Sequence, residues 1–270
     1  MGTTETTAAS VLMAVDPRGI ARVTLNRPEV NNAYDEDMLA ALQAGLRDIA
    51  ASPAIRVVVI AGEGKHFQAG ADLTWLKRAA SYDPERAFAA SMATTRTMQM
   101  LNELPKPTIA MVRGACFGGG AGVVCCCDVA IAEEGAIFGL TEVRVGVAPT
   151  PISTHMVHAI GLRHARRYAL TGERFDAAEA RRIGLVHEVV TADALEARVG
   201  AIVDEVLLAA PGAVARSKAS MLAATGWTLT EAEMHGLAHD SWMQRASAEG
   251  QEGLAAFLEK RRPSWYPAKG

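Results

Sequence analysis

The chain has 270 residues and a mass of 28.5 kDa, enough for one large domain or a core with a helical appendage. Half of it is hydrophobic, 21% is charged and only 5% is aromatic, which excludes wholesale disorder and implies a core of Ala, Val, Leu, Ile and Met. With 27 basic and 30 acidic residues the formal charge is −3, so no basic excess exists to hold nucleic acid or an anionic membrane surface.

Met1 to Ser10 has neither a basic region nor an apolar run, so no secretory signal is expected there. Gly2 with Thr6 fits the short myristoylation pattern, but no second membrane signal accompanies it and no membrane attachment is expected. Two strands are predicted at Val11 to Val15 and Ile20 to Leu25, joined by the turn Asp16-Pro17-Arg18-Gly19. Asp35 is placed to cap a helix whose apolar face is Met38, Leu39, Leu42, Leu46 and Ile49. Val57 to Ala61 and Thr108 to Val112 read as strands buried on both faces. Between them a helix is predicted from Pro84 to Glu103, ended by Pro105 and Pro107.

Helical residues after Gly118-Gly119-Gly120 lead to a strand at Asp128 to Ala132, and strand, strand, helix recurs without strict alternation. From about Thr191 onward the pattern is helical only, with expected helices at 192–210, 213–224, 230–248 and 250–262. An α/β core over residues 1–200 and a helical part over 201–270 are therefore expected. The four cysteines are Cys116, Cys125, Cys126 and Cys127; adjacent cysteines do not satisfy disulfide geometry, and no N-x-[ST] site is present. Buried structural thiols in a reducing, cytoplasmic compartment are expected.

Two glycine-containing loops each follow a predicted buried strand. The first runs from Gly62 through Gln68-Ala69-Gly70-Ala71-Asp72, and the second from Gly114 through Phe117 to Gly120. Small residues let a ligand approach the backbone, and one free N–H from each loop can form an oxyanion hole. Tight turns and close packing account for the same glycines. Glu142 lies among apolar neighbours in Phe138-Gly139-Leu140-Thr141-Glu142-Val143, so it is either a carboxylate of raised pKa or half of an ion pair with Arg144. His235 and His239 stand i, i+4 on a predicted helix, but no metal site is expected from them. The G-x-S-x-G and Walker A motifs are absent, and Cys125 occupies the last glycine position of an incomplete G-x-G-x-x-G.

In order and spacing these segments resemble the crotonase, or enoyl-CoA hydratase/isomerase, superfamily. The likeness runs from Asn26-Arg27-Pro28-Glu29 and Asn32-Ala33 through Phe67 to Leu73, Lys106 to Ala110, Gly118-Gly119-Gly120 and Cys127-Asp128. It continues in Phe138 to Glu142, in Leu170-Thr171-Gly172, and in Gly184-Leu185-Val186. The resemblance implies a spiral of ββα turns with a helical C-terminal trimerisation part, assembled as a trimer or a dimer of trimers. It also implies an acyl-CoA substrate whose thioester oxygen sits between the N–H groups of Ala71 and Gly119. Glu142 is the implied catalytic acid/base. Val30, Ala69, Gly70, Asp72, Leu73, Gly118, Gly122 and Thr141 are the implied substrate-binding positions.

Departures from the family pattern sharpen the reading. The first of two glutamates usual in enoyl-CoA hydratases falls at Gly122, whose missing side chain is expected to leave room beside the β-carbon. A lysine often found near the CoA phosphates is Val30, and a proline–glycine-rich segment reads Pro149-Thr150-Pro151-Ile152-Ser153. The run Gly118 to Asp128 looks most like bacterial one-glutamate hydratases of branched glutaconyl-CoA thioesters, which serve leucine or acyclic terpene breakdown. The resemblance implies hydration of a 2-enoyl-CoA with no metal or redox cofactor, CoA being part of the substrate. A Δ3,Δ2-isomerase and a catalytically silent scaffold are the alternatives. Arg144 and His155 are the candidates to hold a distal carboxylate.

Overall fold

Asp16 makes the first turn. Its carboxylate accepts from the N–H groups of Arg18 and Ile20, both at 2.9 Å, and Gly19 supplies the left-handed φ of +85°. This reverses the chain between antiparallel β1 (Val11–Val15) and β2 (Ile20–Leu25). The computed structural model describes residues 9–226 and 228–265, so the Gly2–Thr6 pattern lies outside the described residues.

Helix α1 (Glu36–Ala51) begins at Asp35, whose carboxylate accepts from the Met38 N–H at 3.0 Å, and it buries the expected apolar face. β3 (Val57–Gly62), β4 (Thr108–Val112), β6 (Val129–Glu133) and β9 (Glu188–Val190) continue a six-stranded sheet in the order β1-β2-β3-β4-β6-β9. All pairings after the first hairpin are parallel. A smaller sheet holds β5 (Ala115–Phe117), β7 (Ile137–Gly139) and β8 (Arg174–Asp176). Between β3 and β4 lie α2 (Leu73–Ala79) and α3 (Pro84–Asn102). The chain climbs in ββα turns: β4, β5 and α4 (Gly119–Cys126), then β6, β7 and α5 (Ser153–Thr171), with α6 (Ala177–Arg182) leading into β9.

The central strands are buried on both faces. Val58, Ile60, Ala110, Val112, Ala130 and Ala132 belong to the larger core with α1, α3 and α4. Their alternates Val57, Val59, Ile109, Met111 and Ile131 pack against Leu195, Val199 and Val203 of α7 (Leu195–Leu208). That i, i+4, i+8 spacing is one stripe of a helix laid on the sheet. The proposed boundary at residues 200 and 201 therefore falls inside a helix that is part of the core. α8 (Pro211–Thr225), α9 (Glu231–Ala246) and α10 (Ala248–Leu258) follow, with α9 packed along α3.

The strand expected from Asp128 begins at Val129, and the Asp128 carboxylate ties its start to neighbouring elements. It accepts from the Thr108 N–H at 2.8 Å, the Thr108 hydroxyl at 2.9 Å and Lys218 Nζ at 2.9 Å. All four cysteines are buried free thiols, and burial pushes the Cys127 thiol up to about 12. Among the described residues no helix is long and apolar enough to cross a membrane.

Candidate active site

The Asn-Arg-Pro segment acts as a clasp. Arg27 pairs with Asp35 and Asp72, each at 3.0 Å, and donates to the Ala33 carbonyl at 2.6 Å. Asn32 is fully buried at φ +57°; its Nδ2 donates to the carbonyls of Glu63 and His66 while its Oδ1 accepts from the Arg27 N–H. Four stretches of chain are thereby fixed around one point. The loop after β3 is then held on two sides: the Tyr34 N–H donates to Gly70 at 2.9 Å, and the Phe117 N–H donates to Gln68 at 2.9 Å. The Asp72 N–H donates to Tyr34 at 2.8 Å, which leaves Ala71 between two used positions.

The N–H of Ala71 donates to no partner among the described residues, and the N–H of Gly119 at the start of α4 donates to none either. The two loops touch: a Cβ on Gly70 would stand 3.6 Å from the Gly119 nitrogen. Gly118 precedes α4 at φ +52° and ψ −120°, a backbone region closed to side-chain-bearing residues. A Cβ there would stand 2.9 Å from Glu142 Oε1, and one on Gly119 would stand 2.5 Å from Tyr34 Cε1. The glycine triplet thus lets a carboxylate and an aromatic ring close on the backbone at the head of a helix.

Glu142 begins a 3₁₀ turn, Glu142–Val145, and its Oε2 is buried with no hydrogen-bond partner among the described residues. Burial pushes its pKa from 4.5 up to about 7. The ion pair with Arg144 does not form. The turn is helical rather than extended, and the Arg144 side chain lies against Gly172 instead. Tyr34, hydrogen-bonded to Thr94, is pushed up to about 12 by burial and by the neighbouring Glu142 charge, so it stays protonated at neutral pH.

Loops, triplet and carboxylate share one cavity of about 570 Å³, a volume that takes an acyl group with part of a larger carrier. Val30, Ala69, Gly70, Ala71, Asp72, Leu73, Gly118, Gly119, Thr141 and Glu142 all line it. A carboxyl of pKa near 7 can take and return a proton near neutrality, and paired N–H groups can hold a developing negative charge. The enoyl-CoA hydratase/isomerase family model matches residues 16–267. The chain belongs to this family.

A mevalonyl-coenzyme A hydratase of Aspergillus fumigatus is 34% identical over 97% of this chain and 97% of its own. The crystal structure of an enoyl-CoA hydratase from Mycobacterium avium superposes with a TM-score of 0.84 at 38% identity, covering 95% of this chain and 99% of that one. One from Shewanella pealeana gives 0.77 at 37% identity, covering 95% and 96%. The expected crotonase-type fold, a ββα spiral core with a helical C-terminal part, is the one observed.

Two expectations need correction within this family frame. Gly122 does not line the cavity, and its missing side chain leaves no room: a Cβ there would stand 2.3 Å from Ile152 Cγ2, so Ile152 fills the space. His155 is fully buried away from the cavity, and burial beside His158 lowers its pKa to about 4. Asp72 lines the cavity, but its carboxylate is committed to Arg27 and to the N–H groups of Thr74 and Trp75 at the start of α2. His235 packs its ring on Phe88, 5.2 Å between centroids, and among the described residues no three His, Cys, Asp or Glu side chains gather to hold a metal.

The sequence reading missed Tyr34, Thr94, Ile152, Ser241 and Arg245, all of which line the cavity. A signal existed for the last two. Met234, Ala238, Ser241 and Arg245 form the buried face of α9, so an arginine stands at a core position of an amphipathic helix.

Proposed function

We propose that the protein adds water across the double bond of a 2-enoyl-CoA thioester, with Glu142 as its single acid/base. The observation that carries this reading is the Glu142 carboxyl, buried and lacking a hydrogen-bond partner at Oε2, set against Gly118 beside two undonated N–H groups. Ionised Glu142 takes a proton from water as the water oxygen bonds to the β-carbon. The π electrons move to the thioester oxygen, where the N–H groups of Ala71 and Gly119 hold the enolate. Each such donor is typically worth about 3 kcal/mol to the transition state. Protonated Glu142 then gives its proton to the α-carbon, leaving a 3-hydroxyacyl-CoA and the carboxylate restored. CoA enters as part of the substrate, and the sequence uses no metal or redox cofactor.

The finer substrate is a branched glutaconyl-CoA, supported by the likeness of residues 118–128 to hydratases of such thioesters. With Ile152 filling the space beside Gly122, a steric preference for a β-branch no longer supports it. The compartment proposed is the cytoplasm, on the buried free thiols.

Glu142→Gln keeps the shape and removes the proton acceptor, so turnover should fall by at least about 10² with little change in CoA-ester binding. Near-normal turnover removes Glu142 from its role and assigns the proton transfer to another group, while no turnover by the wild type makes the protein a silent scaffold. In ¹⁸O-labelled water the product hydroxyl should carry the label; an unlabelled product formed only from a 3-enoyl-CoA makes the protein an isomerase. Among crotonyl-, 3-methylcrotonyl- and 3-methylglutaconyl-CoA, the last should have the highest kcat/KM by roughly tenfold, about 1.4 kcal/mol of discrimination.

A further inference from the structure

Arg245 stands on α9 at 7% exposure, and it lines the same cavity as Glu142. Its Nη1 donates to the Ser241 hydroxyl at 3.0 Å and its Nη2 to the Ser91 hydroxyl on α3. Both acceptors are neutral. Among the described residues no carboxylate lies within ion-pair distance of it. Its ionisable neighbour is Tyr34, which remains a neutral phenol at working pH.

A guanidinium has five N–H donors, and a fixed positive charge that cannot be shed at neutral pH. Taking such a charge out of water without an anion costs several kcal/mol, and native proteins avoid it unless a ligand or partner supplies the opposite charge. Burial pulls the Arg245 pKa down from its ordinary value, which is the same cost seen from another side. The Ser91 and Ser241 hydroxyls fix the fork without neutralising it. Arg245 lines the cavity with Thr94, Tyr34 and Ser241, and two serine bonds leave donors of the fork unused.

Other cationic side chains on the cavity differ in kind. Arg144 is exposed at its rim, and Arg174 lies over the Phe117 ring at 4.8 Å. Among the described cations on the cavity, Arg245 alone is buried. Tyr34 ties it to the reacting end: the Tyr34 ring covers Gly119, and Tyr34 lines the cavity with Glu142 and Arg245.

We infer that Arg245 is the counter-charge for a carboxylate carried by the acyl chain, and that it selects ω-carboxyacyl thioesters over neutral ones in this cavity. The assignment rests on the acyl-CoA reading of the cavity but not on the hydration step. It names a fixed buried charge where the sequence offered only Arg144 and His155. Carboxylate recognition by a guanidinium is bidentate, so it sets the orientation of the chain as well as its identity.

Binding of unreactive esters tests it. Succinyl-, glutaryl- and adipyl-CoA are titrated by calorimetry, each beside a neutral isostere in which an isopropyl group replaces the carboxylate. At least one acid should bind about tenfold or more tightly than its isostere, a ratio typical of a desolvated charge pair. Arg245→Gln should bring that ratio to within roughly threefold of one, and Arg245→Lys should keep part of it. No acid preference in the wild type overturns the inference, as does a preference that survives Arg245→Gln. An equal loss for acids and isosteres in both variants makes Arg245 a tie between α9 and α3 and nothing more. If wild type binds the acids selectively but hydrates no enoyl-CoA, the hydratase reading fails while this one stands. If it binds no CoA ester at all, both fail.

Discussion

Glu142 is a carboxyl held where its ionised form is disfavoured, and that has two consequences of opposite use. For catalysis as proposed, the base must be ionised, so kcat/KM should rise as pH climbs through about 7 and level off above. A flat profile between pH 5 and 8 would assign the proton transfer elsewhere. For stability the sign reverses. The folded-state pKa of about 7 lies above the ordinary 4.5, so the folded state binds the proton more tightly than the unfolded one. Its contribution is fully present below about 4.5 and is lost as pH rises through 7, amounting to about 3 kcal/mol. Relative to Glu142→Gln, the wild type should therefore lose stability between pH 4.5 and 8, measured by urea melts at fixed ionic strength. A constant difference across that range would mean that Glu142 titrates as an exposed carboxyl does.

At the scale of elements, two sequence departures turn out to be one structural fact. Gly122 sits inside α4, a helix buried on every side, and the 3₁₀ turn Thr150–Ile152 packs on it. Ile152 occupies the volume that a side chain at 122 would need. Gly122→Ala should therefore destabilise by about 1–3 kcal/mol through overpacking, even though Ala is favoured over Gly in a helix interior by about 1 kcal/mol. Adding Ile152→Val should recover part of the loss, since the residues touch and the effects couple. A stabilised Gly122→Ala single variant would mean that the turn yields freely. The sequence showed β1, β2, β3, β4, β6, α1 and the glycine loops because each rests on local rules: apolar or alternating runs, an Asp cap, glycine in a left-handed φ; the three-residue strands β5, β7, β8 and β9 carry too short a pattern to read. It did not show α5, where Arg163, His164, Arg166 and Arg167 blur the apolar period and Gly161 at φ +74° breaks the helix in two. Nor did it show Ile152 or Arg245 at the cavity, because their positions follow from how distant elements pack. Glu142 was visible as an acid among apolar neighbours; that it lacks an ion-pair partner was not.

For the whole molecule, the C-terminal helices do two jobs. α10 closes on the Glu142 turn through glycines: a Cβ on Gly253 would stand 2.4 Å from the Val145 carbonyl, and one on Gly146 would stand 2.3 Å from the Glu249 carbonyl oxygen. α9 supplies Ser241 and Arg245, so this part completes the cavity within a single chain. α8 does neither. It buries no residue, although it carries Val214, Met221 and Leu222, and Lys218 to Asp128 at 2.9 Å is its ion-pair tether to the sheet. Fifteen residues are marginal as an isolated helix in water, so α8 gains from any further cover on its exposed side. Met221 at 70% exposure and Leu208, just before it, at 82% mark the surface that lacks a cover. The proposed cover is a second copy of the chain in a closed trimer or a dimer of trimers. Light scattering should give three or six times the 28.5 kDa of one chain. Met221→Asp places a charge in that contact and should shift the mass toward one chain and lower the melting temperature, while circular dichroism keeps its helical signal. A wild-type mass of 28.5 kDa at micromolar concentration would leave α8 without the proposed partner, and an unchanged mass for Met221→Asp would move the contact off this face.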